Sequence, residues 1–150
     1  MWNCYVLAVE SRETCSVFLG ERPVVLGPGV YFYVGSARGP GGALARVARH
    51  LSRTKRVWWH IDRLLACPGI NVRAVYLLRA ESCDCEFEVS SALRRVLLGV
   101  PGFGASDKRR DYSHLYECSD DLVDCLVRVY ELLESVACIS EVLYTEPLIT

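Results

Sequence analysis

Tyr31-Phe-Tyr-Val-Gly-Ser-Ala37, then Arg38-Gly-Pro-Gly-Gly42, then Ala43-Leu-Ala-Arg-Val-Ala-Arg-His-Leu51, is the stretch that decides the fold. The aromatic, β-branched run reads as a strand, the glycine-rich loop breaks it, and the loop opens onto a helix. Side chains alternate along a strand, so Tyr31, Tyr33 and Gly35 share one face while Phe32, Val34 and Ser36 share the other. The helix is expected over Gly42 to Arg53. At about 100° per residue, Leu44, Val47, Ala48 and Leu51 form its apolar stripe, and Arg46, Arg49, His50 and Arg53 fall opposite. Tyrosine hydroxyls, loop amides and guanidinium groups thus collect in one region, a set that suits a phosphate better than a core.

Working outward, Tyr5–Glu10, Cys15–Leu19 and Val24–Leu26 read as strands separated by polar or Gly-Pro-Gly turns. A second helical pattern covers Val57–Ala66, with Trp58, Ile61 and Leu65 on one side and His60 and Arg63 pointing away. Asn71–Arg79 alternates as a strand. Cys85–Leu98 reads as a helix with Val89, Ala92, Leu93, Val96 and Leu97 inward. Ser113–Cys118 and Glu141–Thr145 read as short strands. Between them Ser119-Asp120-Asp121 caps a helix to about Ala137, with Leu122, Cys125, Leu126, Val129, Leu132, Leu133 and Val136 as its core side. No repeat, low-complexity segment or linker interrupts the 150 residues, so one compact unit is expected.

Composition is that of an ordinary globular chain, 51% apolar and 23% charged. No apolar run reaches about 18 residues, so no membrane span is expected. The first ten residues lack a basic start, which argues against a secretory signal and for a cytoplasmic protein. The net charge of -1 hides a division. Arg38, Arg46, Arg49, Arg53, Lys55, Arg56 and Arg63 face the single acid Asp62 between positions 36 and 63, whereas acids dominate from Glu117 onward. Such segregation marks a side that meets a polyanion, or else two solvated surfaces. Eight cysteines without a repeated Cys-x-x-Cys argue against structural zinc and leave buried thiols or a disulfide or two. Many cysteines with no glutamine and few asparagines suit a thermophile, although high genomic GC content explains the abundant arginines equally well.

Phosphodiester cleavage gathers negative charge on phosphoryl oxygens. It needs fixed positive charge, a positioned water and a group to take the water's proton. Arg46 supplies a permanent charge, and Tyr33 and Tyr5 supply hydroxyls. Glu86, at the border of its helix's apolar face, is either a partnered or metal-holding carboxylate or a first-turn acid that favours the helix dipole. The loop lacks the lysine of a P-loop and the spacing of a dinucleotide fingerprint, which leaves turn geometry and close approach of amides to a phosphate.

Tyr33-Val-Gly-Ser-Ala37, the helix with Arg46 and His50, and Glu86 opening a later helix resemble the GIY-YIG nuclease superfamily. Gly29-Val-Tyr-Phe-Tyr-Val-Gly-Ser-Ala-Arg-Gly-Pro-Gly-Gly42, Arg46-Val-Ala-Arg-His50, Trp59-His-Ile-Asp62, Pro101-Gly-Phe-Gly-Ala-Ser-Asp107 and Ser113-His-Leu115 are similar to an uncharacterised, mainly archaeal branch, a domain of unknown function sometimes fused to endonuclease III. The resemblance covers about Tyr5 to Tyr116. It implies an α+β fold, a small, mostly antiparallel central sheet flanked by helices, in a single domain over 1–150 with 119–150 as a C-terminal helix–strand extension. It implies a nuclease site of Tyr5, Tyr33, Arg46, His50 and Glu86, with Glu86 holding Mg²⁺ or Mn²⁺. Substrate contacts would come from Gly35, Ser36, Arg38, Gly41, Arg49, Arg53, His60, Lys108 and Arg109. Asn3-Cys4 stands before Tyr5 where the superfamily has Gly-Ile. Tyr31 competes for the first-tyrosine role but lies too close to Tyr33 for a separate strand. The branch's usual Cys-x-Cys after the late Ser-Asp is replaced by Lys108-Arg109-Arg110. His60 or His50 relays a proton in this scheme, and Asp62 and His114 either line the site or satisfy buried backbone groups.

The expected function is a metal-dependent phosphodiesterase acting on DNA, structure-selective and linked to repair. The competing readings are a non-catalytic nucleic-acid-binding module on the same scaffold and a protein-interaction domain using the acidic C-terminal helix.

Overall fold

β1 (Cys4–Ser11) lies between β4 (Gly29–Ser36) and β5 (Ile70–Arg79), antiparallel to both, in a computed structural model that describes residues 1–36, 41–52, 57, 59–104 and 112–147. β7 (Leu115–Cys118) adds to β4 and the two-residue β6 (Leu98–Gly99) to β7, while β8 (Glu141–Thr145) closes the other edge on β5. The order is β6-β7-β4-β1-β5-β8 with every pairing antiparallel, and β2 (Cys15–Leu19) with β3 (Arg22–Leu26) forms a separate hairpin. Among the described residues four helices complete an α+β fold: α1 (Gly42–Leu51), α2 (His60–Leu65), α3 (Cys85–Val96) and α4 (Leu122–Ser135). No helix among the described residues is long and apolar enough to cross a membrane.

The central strands are buried on both faces, which is why they read as nearly continuous Val, Leu and Tyr. Cys4, Val6, Ala8, Phe32, Val34, Tyr76 and Leu78 form one face, covered by Val89 and Leu93 of α3 and by Cys125, Val129 and Leu133 of α4. Tyr5, Leu7, Tyr31, Tyr33, Val75 and Leu77 form the other, beneath Ala43 and Val47 of α1, Ile61 and Leu64 of α2, and Val17 and Leu26 of the hairpin. The expected alternation in β4 therefore holds. β8 joins the same sheet and α4 packs into the same core as the rest.

The helix faces need correction. α1 buries Gly42, Ala43, Val47 and His50, while Leu44 and Leu51, expected inside, are 56% and 42% exposed. The helix is turned so that His50 faces inward. Its burial is offset by a hydrogen bond described below, which apolar periodicity does not register. In α3, Glu86 and Ser90 are buried and Val96, expected inside, is half exposed. The helix ends there, because Leu97 is extended and Leu98 pairs with Glu117 of β7. α2 begins at His60 rather than Val57. α1 ends at Leu51, where Ser52 turns extended, short of the expected end at Arg53, itself outside the described residues.

All eight cysteines are paired, in four disulfides rather than the expected one or two: Cys4–Cys85, Cys15–Cys67, Cys83–Cys138 and Cys118–Cys125.

Candidate functional site

β1 and β4 register Tyr5 opposite Gly35 and Leu7 opposite Tyr33. Tyr5 and Tyr33 are therefore diagonal neighbours on one face, with ring centroids 6.5 Å apart. The Tyr5 ring lies across Gly35. A Cβ at position 35 would meet the phenol carbon and oxygen at 2.2 Å, so only glycine leaves room for the ring. Burial raises the pKa of Tyr5 well above that of an ordinary phenol, and the Tyr5 hydroxyl is hydrogen-bonded to His50 Nε2 at 2.6 Å. The phenol donates in this bond when the imidazole proton is on Nδ1. The His50 ring also stands edge-on to Tyr33 and to Trp59, with centroids 6.1 Å away in each case.

On α1, Arg46 and Arg49 are one turn apart and both stack on Trp59, with guanidinium carbons 4.9 and 4.5 Å from its ring centroid. Arg49 is further held by Asp62, donating from Nη1 at 2.8 Å and from Nη2 at 3.0 Å. Asp62 is fully buried and also accepts the Trp59 backbone N–H at 2.9 Å. One carboxylate thus fixes the start of α2 and the direction of Arg49, and the tryptophan between them orients Arg46.

Asp84 caps α3 by accepting the Phe87 N–H, which sets Glu86 in the first turn. The Glu86 side chain is 10% exposed, with Oε2 3.7 Å from His114 Nδ1. Tyr33, like Tyr5, has its pKa raised chiefly by burial. On both phenols Arg46 acts in the lowering sense and Glu86 and Asp62 in the raising sense. The acid at 86 and the guanidinium at 46 therefore act on the same two hydroxyls.

The late loop closes this end of the sheet. The His114 N–H donates to Phe103 O at 2.7 Å, the His114 carbonyl accepts from Val34 N at 2.8 Å, and the Gly104 N–H donates to His60 Nδ1 at 2.8 Å. Gly104 has φ +73°, and a Cβ there would press on His114 and on the Tyr33 ring. Phe103 stands edge-on to Tyr33 and to His60.

Tyr5, Tyr33, Arg46, His50 and Glu86 are thus brought together with Asp62 and Arg49. Gly35 is the floor beneath Tyr5. Gly41, at φ +82°, is the N-cap of α1, and Ser36 is half-buried at the end of β4. Tyr31 is on the Tyr33 face but is occupied elsewhere, its hydroxyl donating to Gly27 O at 2.7 Å. His60 holds the late loop. Arg38, Arg53, Lys108 and Arg109 lie outside the described residues. The Trp59 platform and the Arg49–Asp62 clamp went unread in the sequence. Their one local sign is a lone acid at position 62 among seven basic residues. No group of three potential metal-ligating side chains occurs among the described residues, and Glu86 and Asp62 are the carboxylates that act on the tyrosine pair.

A family profile described as "Domain of unknown function DUF123" matches residues 4–135. No curated protein and no solved structure matches the chain.

Proposed function

The chain belongs to the DUF123 family, and we propose that its domain is a metal-dependent phosphodiesterase on a GIY-YIG-like scaffold, cutting nucleic acid, DNA foremost. The observation that carries this reading is the meeting of Tyr5, Tyr33, His50, Arg46 and Glu86, drawn from β1, β4, α1 and α3, around two buried phenols.

In the proposed reaction a water attacks phosphorus, the P–O bond to one sugar oxygen breaks, and that oxygen leaves as the alcohol after taking a proton from solvent. Burial disfavours a standing phenolate at Tyr5. Tyr5 therefore takes the water's proton as it passes its own to His50 Nε2, 2.6 Å away, and no isolated phenolate forms. Arg46, its rotamer restricted by stacking on Trp59, answers the charge that develops on the phosphoryl oxygens. Tyr33 presents a neutral hydroxyl to the same oxygens. A divalent cation of the Mg²⁺ or Mn²⁺ type would add charge at the phosphate and acidify the water. The donor set fits such an ion, since one carboxylate beside neutral hydroxyls suits a cation that keeps most of its own waters. Glu86 would hold it. An intracellular nuclease with four disulfides implies a cytoplasm where disulfides persist, as in hyperthermophiles.

A second reading, a nucleic-acid-binding module without catalysis, is favoured by the enclosure of Glu86 beside His114. One experiment separates the two. Flap, nicked and single-stranded DNA, and matching RNA, are incubated with wild type, Glu86→Gln and Arg46→Ala, with and without Mg²⁺ or Mn²⁺. Metal-dependent cleavage that falls about 10²- to 10³-fold in each variant supports the enzyme. Salt-sensitive binding without cleavage in any metal refutes it in favour of the binding module.

A further inference from the structure

Two of the four disulfides converge on the three residues before Glu86. Cys83 is joined to Cys138 beyond α4, and Cys85 is joined to Cys4 at the start of β1, with Asp84, the α3 cap, between them. Cys4 immediately precedes Tyr5, and Cys85 immediately precedes Glu86. The Cα atoms of this pair are 6.0 Å apart across 81 residues of sequence. The Cα of each proposed site residue is thus one peptide, about 3.8 Å, from a half-cystine Cα.

The two groups so tied come from opposite layers. Cys4, Cys85, Val89 and Leu93 belong to the core beneath α3, whereas Tyr5 and Tyr33 belong to the core beneath α1 and α2. Packing alone lets a helix slide on a sheet by fractions of a side chain, and about 1 Å of misplacement costs on the order of 100-fold in rate. We propose that the Cys4–Cys85 disulfide is a positioning element of the site, holding the Glu86 carboxylate at a set distance from the Tyr5 hydroxyl, so that an intact bridge is required for function. The inference rests on the catalytic reading for its meaning but not for its test. Asp84 and the apolar stripe of α3 keep the helix formed when the bridge is absent, and what is lost is the registration of the acid against the phenol.

The test reads the pair directly. 3-Fluorotyrosine is placed at position 5, and the ¹⁹F line is recorded with Glu and with Gln at position 86, in wild type, in Cys4→Ala/Cys85→Ala and in Cys118→Ala/Cys125→Ala. Cleavage is measured alongside. The expected result is a line displaced by Glu86→Gln in wild type and in Cys118→Ala/Cys125→Ala, and unmoved by it in Cys4→Ala/Cys85→Ala, where cleavage falls about 100-fold. The proposal is overturned if the displacement survives removal of the Cys4–Cys85 bridge, if it is absent in wild type, or if Cys118→Ala/Cys125→Ala abolishes it equally, which marks general loosening. A displacement that depends on the bridge in a protein that cuts nothing upholds the positioning role and refutes the cleavage reading. Should the alanine pair fail to fold, Cys4→Val/Cys85→Ala refills the buried volume and decides by the same line.

Discussion

Gly35→Ala tests whether the Tyr5 ring is where the proposed cleavage requires it. A Cβ at position 35 would lie 2.2 Å from both the phenol carbon and the oxygen of Tyr5. Ordinary carbon contact begins near 3.5 Å, so the ring must retreat by about 1.3 Å. Tyr5 is wholly buried between Gly35 and the His50 ring, so the displacement is resisted by packed neighbours rather than absorbed by solvent. Overpacking of this kind costs about 2 kcal/mol, which in a chain of this size lowers Tm by roughly 4–8 °C. The 2.6 Å bond to His50 opens as well, so the rate falls by on the order of 100-fold, more than the stability loss accounts for at the assay temperature. Thermal unfolding and single-turnover cleavage measure the two effects. Gly35→Ala/Tyr5→Leu, which replaces the whole phenol ring with a shorter aliphatic side chain, should regain most of the stability and none of the activity. A Gly35→Ala protein with wild-type Tm and wild-type rate would refute the reasoning, and so would a double variant that regained activity.

Asp62→Asn removes the charge from a fully buried carboxylate that holds Arg49 and the start of α2, and should cost about 2–3 kcal/mol in chemical denaturation. Unchanged denaturation would mean that the clamp contributes little. At alkaline pH the buried phenols set the slope of stability. Burial, and then the nearby Glu117, raise the pKa of Tyr31 to about 12, so its folded form keeps a proton that the unfolded form releases near pH 10. Its contribution is present below pH 10 and is lost as pH rises from 10 to about 12. Tyr31→Phe should flatten part of that fall while costing about 1 kcal/mol at neutral pH through the lost bond to Gly27, both read from urea titrations across pH. Disulfides closing longer loops should matter more. Removing Cys15–Cys67, separated by 52 residues, should cost about 4 kcal/mol, against about 2.5 kcal/mol for Cys118–Cys125, separated by 7. An inverted order would point to native-state strain or residual unfolded structure instead.

The strand framework was legible in the chain. Period-two alternation in Tyr31–Ser36 and Val72–Arg79 is a local property, and β2 and β8 occupy the residues expected of them. Tyr33, Arg46 and Glu86 could be singled out as candidates in the chain because each sits at a marked place on its own element. The buried face of α1 was not. Val47 belongs to either stripe, and the apolar count favoured Leu44, Ala48 and Leu51 over Ala43 and His50. What turns the helix is a phenol 45 residues away, and no window of local sequence contains that bond. The same limit applies to Asp62 with Arg49 and to the pairing of eight cysteines, for which 105 connectivities are open to a sequence and one is realised. Sequence alone determined most of the strands and helices, since backbone preference and side-chain period act within a few residues, while β6 exists only through its pairing with β7. Only the tertiary structure decided which helix face is buried, which cysteines meet and which acid holds which guanidinium. Those depend on distances across the sheet, where one hydrogen bond or one covalent bridge outweighs a turn's worth of apolar patterning.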